Sequence, residues 1–212
     1  MLLALFRGLL KLVFLVATLL AIAGGILRYF FVDLAIVGHN SMAPTLTMGE
    51  QVAVWRDAEL QLGDIALCGD PRMPGEYVIG RVAGKKGDEL KSGRRGQLLV
   101  NGKAVMTNNM GTRSFYDERA RRLLTMDYGT EKLGSVEHEW FKLKGHVFSM
   151  RTVKVKKGLF LLGDNRTTRS NDSRLFGSAK RLACRGKVFL RIRPAPGALP
   201  DDLGHGWLEL LD

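Results

Sequence analysis

The sequence predicts an all-β body behind one N-terminal membrane-spanning helix. Three observations carry that prediction. The chain opens on MLLALFRGLLKLVFLVATLLAIAGGILRYFF, which is uncharged from Leu12 to Leu27. Beyond it the apolar residues fall into short, β-branched runs rather than helical stripes. Those runs are separated by glycine-bearing turns at close intervals, the punctuation of consecutive strands.

The Leu12–Leu27 run is about 16 residues, roughly 24 Å as a helix. A bilayer asks for about 20 residues, and Lys11 and Arg28 can extend the span by snorkelling. Ala21-Ile22-Ala23 before Gly24 also fits a small-residue cleavage site, so a removable export signal is the alternative to an anchor. Either way the remainder is sent outward, and Arg7 and Lys11 favour an N-terminus inside.

Phe31 to Val37 then reads as a strand, and QVAVWR (51–56) alternates as one. LGDIALCGDP reads as turn, strand, turn, and EYVIGRVAGKKGDEL as strand, turn, strand. GRRGQLLVNGKAV is a hairpin pattern in which Asn101-Gly102 is a two-residue turn signal. GLFLLGDN and GKVFLRIRP supply two further strands. SFYDERARRLLTMDYG, from Ser114, has a helix-like charge pattern and reads as a short helical insert or a mobile one. The expected organisation is an anchor over 1–30, a β-rich domain over 31–195 and a C-terminal tail over 196–212.

The 212 residues carry a formal net charge of +11. Such a surplus attracts polyanions. The basic residues are scattered through turns without interleaved aromatics, so anionic membrane lipids fit better than nucleic acid, and no nucleic-acid partner is expected. Cys68 and Cys184, the two cysteines, have no metal-ligand spacing, so neither a metal nor a cofactor is expected. They either pair in an oxidising compartment or stay as buried free thiols.

Two stretches stand apart. In IVGHNSMAPTL (36–46) an apolar strand ends in Gly, and His39 and Asn40 lead to Ser41 ahead of a turn fixed by Pro44. A loop serine and a presented nucleophile both fit that pattern. GDNRTTRSNDSRLFG (163–177) is dense in Asp, Asn, Ser and Arg. Asp and Asn make turns by bonding their own backbone. Two Asp–Arg sets can also lock such a loop by charge-assisted bonds beside a reactive group.

Together with GDIAL (63–67), GRVAGKKGDEL (80–90), VNGKAV and a final GK, these stretches resemble the type I signal peptidases, membrane-bound serine proteases that remove signal peptides. The resemblance runs from Leu12 to Arg193. It implies a β-rich body of coiled sheets on the outer face of the bacterial inner membrane, acting on the signal peptides of exported pre-proteins after small residues of Ala-x-Ala type. It matches Ser41 to the nucleophile and Asp164, Asn165, Asp172 and Arg174 to the loop that braces the site. Ser170 resembles the serine that orients the base. The strand from Asp33 to Val37 would pair with an extended substrate. Oligomeric state is not legible.

The sequence departs from that pattern at the base. The family's lysine belongs where this chain has Gly80, and Lys86 stands for its proline. The bracing loop is about one residue longer, with Arg169 as the extra one. His39 occupies a position two before the nucleophile, where residues on a strand share a face, so an imidazole can approach Ser41 as base or oxyanion donor. Lys85 and Lys86 are the other candidates. Three functions stay open: an active signal peptidase with a rearranged base, a weak or inactive member that binds signal peptides or a partner, and a basic membrane-tethered scaffold.

Overall fold

The computed structural model describes residues 2–94, 96–117, 121–168, 171–195 and 203–211. The chain forms two compact units, residues 1–33 and 34–212. In the first, α1 (Leu2–Phe30) is one continuous helix, and its segment Phe6–Phe30 is long and apolar enough to cross a membrane. It extends past the uncharged run at both ends, because Arg7 and Lys11 are good helix formers and interrupt hydropathy without interrupting the helix.

The second unit is built from strands. Its main sheet contains β1 (Val32–Ile36), which enters the unit at Leu34, with β2 (Gln51–Arg56), β3 (Ile65–Gly69) and β4 (Tyr77–Lys85). β5 (Glu89–Ser92), β6 (Leu98–Val100) and β7 (Lys103–Ala104) form a second sheet. A third comprises β8 (Met106–Asp117), β9 (Arg122–Leu133) and β10 (Val136–Leu143). The chain then adds β11 (Val153–Lys154) to the second sheet and β12 (Leu159–Leu162) to the first. A short helix, α2 (Ser173–Phe176), precedes β13 (Cys184–Arg193) and β14 (Glu209–Leu210). Among the described residues the main sheet runs β1-β2-β13-β3-β4-β12, with β14 on β13.

Alternation along β4 sorts its side chains into two cores. Ile79 joins Val37, Met42, Leu46 and Val54 on one face, while Val78 and Val82 join Leu161 and Cys184 on the other. A sheet covered on both faces needs apolar residues at consecutive positions, which is why IALC and LFLL are unbroken runs. In a further cluster Ala43 packs with Phe115, Met126 and Phe141, so the third sheet bears on the turn that follows β1.

Asn101 and Gly102 take positive φ values of 52° and 78°, as a two-residue hairpin turn of the expected kind requires. The helical or mobile insert expected from Ser114 is corrected. Residues 114–117 and 122–129 belong to paired strands, with Phe115 opposite Leu124 and Tyr116 opposite Leu123. Leu124, Met126 and Tyr128 pack on the same cluster at every second position, a period of two that the charges ahead of Leu123 obscure in the sequence. Residues 118–120 lie outside the described residues.

Cys68 and Cys184 face each other across β3 and β13 and are joined as a disulfide. The cross-link closes a loop of 116 residues in the sequence. It constrains the unfolded chain, and disulfides of this kind contribute about 2–4 kcal/mol. Reduction, or Cys68→Ala with Cys184→Ala, is therefore expected to lower the unfolding free energy of the second unit by that amount and its urea midpoint accordingly, measured with and without dithiothreitol. Equal midpoints would show that the cross-link does not hold the folded state.

Candidate active site

The site begins where β1 ends. Val37 donates its N–H to the Glu50 carbonyl, which closes the chain after β1 into a loop. His39 keeps extended backbone, with φ −164° and ψ 163°, and a 3-10 turn follows over Asn40–Met42. That change of path turns Ser41 back toward its neighbour. The Ser41 Oγ lies 2.7 Å from His39 Nδ1. Ser41 is almost wholly buried, 1 % exposed, and His39 is half-buried.

The 163–177 loop meets this turn through backbone. Asn165 donates its N–H to the Ser41 carbonyl at 3.0 Å, and its side-chain amide donates to the Asn40 carbonyl at 3.2 Å. Gly163 is required by the closeness of the approach, since a Cβ there would lie 2.5 Å from the Ser41 carbonyl oxygen. Asp172 caps α2 by accepting from Arg174 N–H at 2.9 Å and also accepts from Gly163 N–H at 3.2 Å. Arg174 returns its guanidinium to both Asp172 oxygens and donates to the Arg166 carbonyl. Asp172 and Arg174 thus hold the loop's shape, while Asn165 and Gly163 touch the turn. Ser170 and Arg169 lie outside the described residues.

Asp164 points inward rather than at Ser41. It is fully buried and receives Arg81 at 2.9 Å and 2.8 Å and the Thr45 hydroxyl at 2.5 Å. Arg81 places its remaining nitrogen on the Gly63 carbonyl at 2.6 Å. Burial would raise the Asp164 pKa, but the Arg81 charge, His138 and the two hydrogen bonds outweigh it and hold the carboxyl below its ordinary value. Thr45 sits four residues after Ser41, so this ion pair clamps the Ser41 turn to β4. Arg81 and Thr45 were absent from the sequence candidates. The available signal was a single arginine inside the apolar run YVIGRVA, since a charge in a buried strand needs a partner.

A second layer continues outward. His138 Nε2 is 3.6 Å from Asp164 and 3.2 Å from Glu131, which is paired with Arg166. Arg166 donates to the Gly163 carbonyl at 3.0 Å. Burial would raise the Glu131 pKa, yet Arg166 and His138 bring it down to about 2. The His138 pKa is lowered, chiefly by burial. Asp164 and Glu131 pull the other way without offsetting it, and Arg81 adds to the lowering.

Gly80 pairs with Ala66, and a Cβ on it would lie 2.9 Å from the Leu161 Cβ. Leu161 therefore occupies the space a side chain at Gly80 would need. Lys85 donates from Nζ to Gln61 at 2.5 Å on an exposed edge. Beside His39 lies a cleft of about 170 Å³, lined by Ala35, Val37, Leu67, Ile79, Tyr77 and Arg185.

A hydroxyl in hydrogen-bond contact with an imidazole, beside an apolar cleft in a β-rich body, is the arrangement of the serine hydrolase class. Residues 9–193 match the model of the family described as signal peptidase, peptidase S26. Signal peptidase I of Pseudomonas fluorescens is 30% identical over 168 residues, which cover 70% of this chain and 57% of that one. Signal peptidase I of Pseudomonas aeruginosa is 29% identical over 174 residues, 73% of this chain and 59% of that one. Signal peptidase I T of Bacillus subtilis is 30% identical over 164 residues, 75% of this chain and 70% of that one. This chain belongs to the signal peptidase family. It spans less than two thirds of the length of the two Pseudomonas relatives.

Two outcomes are expected from the buried charges. Asp164→Ala strands Arg81 without a partner and should cost about 3–5 kcal/mol in urea unfolding. A loss below about 1 kcal/mol would show the pair is not buried as described. His138 favours its neutral form in the folded state. Its contribution is complete above its unfolded pKa of about 6.5 and is lost as pH falls through the lower folded value. Urea midpoints between pH 7.5 and 4.5 should accordingly fall less steeply for His138→Gln than for the wild type.

Proposed function

We propose that this chain is a membrane-anchored serine endopeptidase that removes N-terminal signal peptides from exported pre-proteins, cutting after small residues of Ala-x-Ala type. The observation that carries this reading is the 2.7 Å contact between Ser41 Oγ and His39 Nδ1 in a signal peptidase chain that has glycine at position 80. His39 acts as the general base. Its Nδ1 takes the hydroxyl proton as Oγ attacks the carbonyl carbon of the scissile bond. The Ser41 backbone N–H contributes to binding the oxyanion. The imidazolium then gives its proton to the departing amine, and the same nitrogen activates the water that hydrolyses the acyl-enzyme.

The substrate enters extended, beside β1, with its small side chains against Ala35, Val37, Leu67 and Ile79. Asp164, Asn165, Asp172 and Arg174 hold the turn in place, and the resemblance assigns Ser170 to orienting the base. The helix Phe6–Phe30 anchors the chain in the bacterial inner membrane, with the β-rich body on the outer face. Arg7 and Lys11, in its first turns and ahead of the uncharged run Leu12–Leu27, support an N-terminus inside. The Cys68–Cys184 disulfide supports an oxidising compartment for the body. The basic surplus favours contact with anionic lipid headgroups.

The filling of the Gly80 site by Leu161 supports a second reading, a member that binds signal peptides and cleaves them poorly. One experiment separates the two. Cleavage of an Ala-x-Ala pre-protein is measured for the wild type, Ser41→Ala, His39→Ala, Gly80→Lys and Gly80→Lys with Leu161→Ala. The proposal expects wild-type cleavage, its loss in Ser41→Ala, a decrease of about 10²–10⁴-fold in His39→Ala and no gain from Gly80→Lys. Negligible wild-type cleavage that rises in the double variant would establish the second reading. Strong cleavage that survives His39→Ala would remove His39 as the base.

A further inference from the structure

The family model stops at residue 193, yet the chain beyond it returns to the nucleophile turn. β14 pairs with β13, Leu190 opposite Leu210 and Arg191 opposite Glu209. The pairing continues on either side, from Leu208 N–H to the Ile192 carbonyl and from Leu211 N–H to the Phe189 carbonyl. Leu211 packs on the cluster that holds Val37, Met42 and Leu46, and Leu203 on the cluster that holds Ala43. Two apolar side chains of this segment therefore bear on the residues immediately after Ser41.

The polar contacts converge on the same place. His205 Nδ1 is 2.5 Å from Glu50 Oε1, and Glu50 is fully buried. Arg191, 1 % exposed, donates from Nε to Glu50 at 3.0 Å, pairs with Glu209, and donates its last nitrogen to the Thr45 carbonyl at 2.5 Å. Glu50 also accepts the Thr47 hydroxyl at 2.9 Å, and its carbonyl receives Val37 N–H. His205 and Glu209 are thus the outer partners of a carboxylate and a guanidinium whose inner contacts are Thr47 and Thr45. Both of those residues lie in the loop that presents Ser41, and the Glu50 main chain closes that loop on Val37.

We infer that the segment Leu203–Leu211 is a positioning element of the active site: through Glu50 and Arg191, His205 and Glu209 set the geometry of the turn that carries Ser41. This rests on Ser41 being the nucleophile. Neither His205 nor Glu209 touches the reacting atoms. Their removal leaves Glu50 and Arg191 less restrained, so the Thr45 carbonyl loses a fixed donor and the Ser41 hydroxyl a fixed direction. Misplacement of that kind slows the chemical step while substrate binding in the cleft persists.

The test uses the full chain in detergent micelles and two readouts. One is kcat and KM on an Ala-x-Ala pre-protein. The other is hydrogen exchange of the backbone amides over residues 41–48 compared with the rest of the body. His205→Ala is expected to lower kcat about ten-fold with KM held, and to speed exchange over 41–48 selectively. His205→Gln, which keeps an N–H donor for Glu50, should recover most of both. Glu209→Ala should act in the same direction. That side chain is 48 % exposed, so the variant carries the test if His205→Ala fails to fold. Unchanged exchange over 41–48 in both alanine variants would overturn the inference. So would acceleration spread evenly over the body, which marks a loss of general stability. If the wild type cleaves nothing, the peptidase reading fails, and exchange over 41–48 still decides whether this segment holds the turn.

Discussion

The buried ion pair between Arg81 and Asp164 is the constraint on which the site depends. Arg81 is 1 % exposed and Asp164 is not exposed at all. Charges taken this far from water are tolerated only when their hydrogen-bonding capacity is met. Arg81 meets its own with both Asp164 oxygens and the Gly63 carbonyl, and Asp164 completes its set with Thr45. Four separate pieces of chain, namely β4, the turn before β3, the loop after β12 and the Ser41 turn, are thereby given one mutual arrangement. A purely apolar contact would leave them free to slide. The directionality of these bonds removes that freedom.

The same solution recurs nearby. Arg166 is buried with Glu131, and Arg191 with Glu50. Each guanidinium also reaches a backbone carbonyl beside the site, Gly163 in one case and Thr45 in the other. Ser41 stands inside this frame, its carbonyl held by Asn165 and its hydroxyl by His39. The apolar clusters supply the cohesion of the fold, because burial is roughly proportional to area and has no direction. The arginine–carboxylate pairs supply the angles. A nucleophile needs both, since its reactivity depends on a hydroxyl fixed relative to a base to within a fraction of an ångström.

Under the proposed function the general base is displaced from the position where the resemblance puts it. Position 80 on β4, packed against Leu161, carries no ammonium. An imidazole two residues before Ser41 takes that place in the reading offered here, as base on the nucleophile's own loop. A histidine has an unperturbed pKa near 6.5 and accepts a proton at neutral pH without needing burial to depress it. A lysine must be desolvated first. The exchange would relieve the body of one buried ionisable group.

Taken alone, the sequence determined the strand-rich body, the apolar N-terminal helix, the Asn101–Gly102 turn and the two polar stretches around Ser41 and Asp164. Each of these is written in a few consecutive residues, through side-chain period, turn chemistry or motif. It did not reveal that Arg81 pairs with Asp164, that Cys68 and Cys184 join, or that the segment around His205 comes back to Glu50. Nor did it settle whether His39 meets Ser41, although it placed the two within reach. The hairpin of β8 and β9 was hidden for a related reason: Leu124, Met126 and Tyr128 alternate correctly, but the charges ahead of them imitate a helix until Phe115 and Phe141 are seen to lie opposite. Local pattern reports what a segment can become. Tertiary structure decided the rest, because an arginine and a carboxylate 83 positions apart leave no periodic trace in the chain and acquire their meaning only when folding removes the water between them.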